Sequence, residues 1–84
     1  MNPQATTQIA FTVVPYVQGS RGGLKPGDII QCRNRETAEL RAEKLMAGGR
    51  VLGVDVVRQT ADPALGEYGE PEYLLRLGRV PELG

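Results

Sequence analysis

Apolar and polar positions along this chain change period twice, and the changes divide it into strands and a single helix. From Gln8 to Val17, the residues Ile9, Phe11, Val13 and Val17 fall on one face and Ala10, Thr12, Val14 and Tyr16 on the other, the two-residue period of a strand. Pro15 interrupts this run. A proline cannot donate to a ladder, so the pattern predicts an edge strand or a bend at that point. A second, short strand is expected from Asp28 to Cys32, with Ile30 and Cys32 on one face. The segment between them, 18–27, is dense in glycine and reads as a turn or loop that joins the two strands as a long-looped hairpin.

The period then lengthens. Asn34 is a good helix N-cap, Glu36 and Glu39 place negative charge in the first turns, and Gly48-Gly49 supply a left-handed stop. Between these signals Ala38, Ala42, Leu45 and Met46 form one stripe, with Glu39, Arg41, Glu43 and Lys44 largely outside it and Leu40 off it. A helix from about Arg35 to Ala47 would span about 20 Å. Strand character returns at once, since Val51, Leu52, Val54, Val56 and Val57 lie within a third strand from about Arg50 to Thr60. The segment 61–71 reads as a long loop, and a fourth strand from Glu72 to Leu77 sets Tyr73, Leu75 and Leu77 against Leu74 and Arg76. Residues 1–7 and 79–84 are expected to be loosely held.

The order predicts a single α+β domain, ββαββ, with one amphipathic helix packed on a four-stranded mixed sheet. In this arrangement the helix returns the chain across the sheet, and the third strand runs parallel to the second through a right-handed crossover. A chain of 84 residues buries roughly 60–65% of the surface that its unfolded form exposes, so the core is one thin layer. One helix covers one face. A sheet carrying Val13, Val54 and Leu75 offers more apolar surface than that, and a second copy is the simplest cover, so a homodimer is expected.

Ten basic and ten acidic residues cancel, which argues against a strongly anionic partner. Their distribution is uneven. Residues 1–35 hold Arg21, Lys25, Arg33 and Arg35 against Asp28, while residues 59–84 hold Asp62, Glu67, Glu70, Glu72 and Glu82 against Arg76 and Arg79, giving +3 and −3. The chain therefore offers complementary ends, within one copy or between copies.

Chemistry is bounded chiefly by what is missing. There is one Cys and no His, which excludes an internal disulfide and a thiolate zinc site and removes the commonest general base and metal ligand. Cys32 lacks a partner that would hold it as thiolate and reads as a structural residue beside Ile30. The acidic loop lacks the ligand spacing of an EF-hand, and no cofactor is expected. The Gly19–Gly27 loop could hold an anion with Arg21 and Lys25, joined by Arg33 and Arg35. It is not a P-loop, because no Gly-Lys-Ser/Thr ends it and it leads into a strand. Nucleic acid is a weak candidate partner for the same patch, since the chain has no Trp, one Phe and three Tyr to serve as stacking platforms. No apolar run approaches the length of a membrane span and the first residues lack the pattern of a leader, so no membrane is expected and the default compartment is the cytoplasm.

The run Phe11-Thr12-Val13-Val14-Pro15-Tyr16, Gly27 and Cys32, Ala38 and Ala42, Gly53, Asp62-Pro63, Gly66-Glu67-Tyr68, Glu70-Pro71 and Val80-Pro81-Glu82 resembles small bacterial proteins of unknown function over nearly the whole length. The resemblance implies a shared layout and brings no activity, cofactor or site residue. The expected function is a non-enzymatic interaction module that receives a partner on a sheet face or edge strand. The alternative is a binder of an anionic ligand or nucleic acid through the loop 19–27 and the nearby arginines.

Overall fold

The helix forms where its capping signals stand. In the computed structural model, which describes residues 7–83, α1 runs over Arg35–Gly48. Asn34 is extended, and its side chain accepts a hydrogen bond from the Thr37 amide at 2.8 Å. Gly49 closes the helix in the left-handed conformation, φ 77°, where a side chain would be strained. Ala38 and Ala42, one turn apart, are fully buried, and Leu45 and Met46 pack half-buried beside them. With only methyl groups at its closest points, α1 lies directly on the sheet.

The strands are β1 (Gln8–Gln18), β2 (Leu24–Pro26), β3 (Ile30–Cys32), β4 (Gly53–Asp62), β5 (Glu67–Tyr68) and β6 (Glu72–Gly78). They hold 47% of the described residues against 18% for the helix, and they make one curled six-stranded sheet that is antiparallel at every pairing. This corrects the expected α+β ββαββ domain with a four-stranded mixed sheet: the fold is β-rich with a single helix. The physical reason lies in β1. With 11 residues it is the longest strand and offers both edges, so it sits between β3 and β4. β3 and β4 do run in the same direction, yet they share no ladder. A three-residue β3 could give a parallel partner few bonds, whereas β1 and β4 align from Gln8↔Ala61 to Tyr16↔Gly53.

β2 and β3 are two pieces of one edge, paired to β1 at residues 16–18 and 11–13. Pro15 explains the break. The Tyr16 carbonyl points toward β4, where it accepts from the Leu52 amide at 2.8 Å, and strand alternation turns Pro15 the other way. Its carbonyl accepts from the Gly27 amide at 2.8 Å, and the donor that proline lacks would face the gap between β2 and β3. Pro15 thus sits in a central strand instead of an edge strand, because its own neighbour is interrupted there.

The core is one-sided. Val13, Val54 and Val56 are fully buried beneath α1, and a bulge in β6, where Val56 faces Leu75 but Val57 faces Tyr73, lets Leu74 and Leu75 both pack against that cluster. The apolar residues expected to need a second copy, Val13 and Val54 above all, are covered within this chain. α1 packs on β1, β3, β4 and β6 and leaves β2 and β5 bare at the two ends. The molecule is accordingly long, 52 × 25 × 18 Å, with a radius of gyration of 14.7 Å where a compact chain of this size has about 12 Å.

Candidate functional site

On the sheet face opposite the helix, one carboxylate is fully buried. Asp55 interrupts the run Val54-Asp55-Val56-Val57 of β4, and the antiparallel register sets it directly across from Arg76 of β6. Arg76 donates from Nε to Oδ1 at 2.6 Å and from a terminal nitrogen to Oδ2 at 3.0 Å, and the Tyr16 hydroxyl donates to Oδ2 at 3.0 Å. Both oxygens are engaged, as a carboxylate withdrawn from water requires. Arg76 extends the network in two directions. It donates to the Pro81 carbonyl at 2.6 Å, and its guanidinium lies 5.0 Å from the centre of the Tyr73 ring.

Electrostatics follow from this arrangement. Burial, the hydrogen bond to Asp55 and the carboxylate's charge together push the Tyr16 phenol up to about 12, with Arg76 partly opposing them. The hydrogen bonds to Asp55 raise Arg76 above its ordinary value against the cost of desolvation. Tyr16 stays protonated and Arg76 charged at any physiological pH. A saturated carboxylate, a protonated phenol and a fixed guanidinium form a clasp that ties β1, β4, β6 and the C-terminal tail together.

The tail is drawn in by backbone as well. The Arg79 amide donates to the Leu52 carbonyl at 2.9 Å, and the Arg79 backbone passes so close to Gly53 that a Cβ there would overlap its carbonyl. Only glycine allows that approach. Residues 79–81 therefore lie against the sheet instead of hanging free.

The four basic residues read as an anion site are not brought together. Arg21 lies in the β1–β2 turn and Lys25 opposite Val17, whereas Arg33 and Arg35 follow Cys32, which lies opposite Phe11. Six residues of strand separate those registers, about 20 Å. Arg35 is also held by Glu39 at 2.7 Å. Cys32 is half-buried and packs against the core on the helix side. In the acidic segment, Glu72 meets Arg58 at 3.4 Å, and among the described residues no three metal-ligating side chains converge. No described helix is long and apolar enough to cross a membrane.

Two concave surfaces lie at opposite ends. Thr60, Ala61, Asp62, Glu67, Tyr68 and Gly69 line an open, acidic cleft of about 550 Å³ at the β4–β5 end. At the β2 end, Pro15, Val17, Gly27, Ile30, Leu45 and Val51 line a mostly apolar groove of about 440 Å³, with Arg50 and Asp28 at its margin. The clasp and both clefts escape sequence reasoning, although one signal was present: an acid and a base each standing alone inside an apolar strand, Asp55 and Arg76. Compared with protein families, curated proteins and solved structures, the chain matches none.

Proposed function

We propose that this chain is a non-enzymatic protein-interaction module that associates with copies of itself, a homodimer being its first assembled form. The observation that carries the reading is apolar surface at the two ends that α1 leaves uncovered. At one end Ile9, Leu65 and Tyr68 are 51%, 68% and 72% exposed. At the other, the groove beside Val17 and Leu45 stands open. Side chains of this size left in water on a small domain favour a protein cover. The polar residues support the same reading, because the buried carboxylate is committed on both oxygens and the phenol beside it holds its proton.

Sedimentation of the full chain across micromolar concentrations tests this. A mass rising from one copy toward two is expected. One copy at every concentration would overturn the reading.

A further inference from the structure

Resting on that self-association, we infer that the contact is head to tail: Leu65 at the β4–β5 turn of one copy enters the apolar groove at the β2 end of the next. Leu65 stands at the apex of a tight turn, in which its own amide donates to the Asp62 carbonyl at 3.1 Å and the Gly66 amide donates to the Pro63 carbonyl at 3.2 Å. The turn presents a leucine 68% exposed, with Asp62 before it and Glu67 and Glu70 after it. The groove is its complement. Its walls are Pro15, Val17, Ile30, Leu45 and Val51, and its margin carries Arg50. Lys25 pairs with Val17 in the antiparallel register and so shares its face, and among the residues lining the groove Asp28 carries the opposing charge.

A protruding apolar side chain flanked by acids thus matches an apolar groove bordered mainly by bases. Burying the leucine supplies affinity, and the charges select orientation and speed encounter. The two surfaces cannot meet within one copy. Along β1, the register of Gln8 with Ala61 marks the turn end and that of Val17 with Lys25 marks the groove end, nine residues or about 30 Å apart. A contact between two different patches is heterologous, so each dimer keeps one free turn and one free groove and grows into chains or a ring as concentration rises.

The test uses two surface variants of the full chain. Leu65→Ser removes the inserted side chain, and Lys25→Glu with Arg50→Glu reverses the groove's margin. These positions are exposed, and far-UV circular dichroism confirms that each variant keeps the fold. Alone, Leu65→Ser is expected to self-associate roughly ten- to a hundredfold more weakly than the parent, the value of one buried leucine side chain. The charge-reversed variant is expected to associate more weakly as well, because its margin then repels the acids of the turn. Mixed, they restore a 1:1 dimer of parental affinity that does not grow, because one partner keeps an intact turn and the other an intact groove. If the parent associates but Leu65→Ser does so equally well, or if mixing restores nothing, the head-to-tail contact is overturned while self-association stands. A parent that stays monomeric overturns both.

Discussion

The two faces of this sheet are closed by opposite means. Beneath α1, Val13, Val54 and Val56 are sealed by contact with Ala38 and Ala42, a dispersion-packed layer with no polar atom to satisfy. Among the described residues no helix lies on the other face, and the most buried side chain there is Asp55, closed by Arg76, Tyr16 and a returning tail. Packing of the first kind depends on volume. Closure of the second kind depends on partners: an ion pair adds little net stability over apolar groups of the same shape, yet removing one member strands the other. A sheet with one helix among the described residues can thus be finished by placing most of the buried apolar residues on one side and, beside Val57, a few directed hydrogen bonds on the other.

The contrast breaks most severely at Gly53, where the tail crosses the sheet. Gly53→Ala places a methyl group against the Arg79 backbone, which has no flexible end to move, and is expected to cost about 3 kcal/mol in chemical denaturation or to release the tail. Unchanged stability would show that the tail does not lie there. On the helix face, Val54→Ala should cost about 2–3 kcal/mol, the transfer of two buried carbons plus the cavity they leave. A near-neutral result would dissolve the packed layer.

A smaller effect is expected at the clasp, and its pattern matters more than its size. Asp55→Leu should destabilise, because Arg76 and the Tyr16 hydroxyl lose their acceptor, whereas Asp55→Leu with Arg76→Met should recover much of the loss. If the double variant is no better than the single one in a denaturation cycle, the closure is not ionic in origin.

The smallest effect concerns pH. The Tyr16 phenol is raised in the folded chain, so its contribution is fully present below the ordinary tyrosine value near 10 and is lost as pH climbs through about 12. Stability should therefore fall over that window, and Tyr16→Phe should flatten the fall. The difference in phenolate absorbance between the two proteins, measured in the same titration, should appear near pH 12. Appearance near pH 10 would mean that the phenol is neither withdrawn from water nor held against Asp55.

Local chemistry carried the reading of the helix. Asn34, Ala38, Ala42 and Gly49 act through the nearest turn of chain, and the structure places each in the role its residue type suggests. Alternation likewise located most of β1, β4 and β6, while the short β2 and β5 stayed hidden in segments that read as loops. Two or three residues set among glycine, proline and charge show no alternation, whereas the equally short β3 carries Ile30 and Cys32 on one face; β2 and β5 exist because β1 and β4 run long enough to offer an edge.

What the tertiary structure alone decided is partnership between distant residues. Pro15 read as a mark of an edge strand or a bend, since the gap between β2 and β3 that accommodates it is invisible from its own neighbours. Arg21, Lys25, Arg33 and Arg35 read as a patch because they are close in sequence, and strand register carries two of them about 20 Å away from the other two. Asp55 and Arg76 are 21 positions apart, and no local rule joins them. Capping, helical spacing and alternation act over one turn or one strand, and the sequence determines them by itself. Strand order, the clasp and the opposed ends of the molecule depend on which edge each strand finds, and that is settled only when the whole sheet closes.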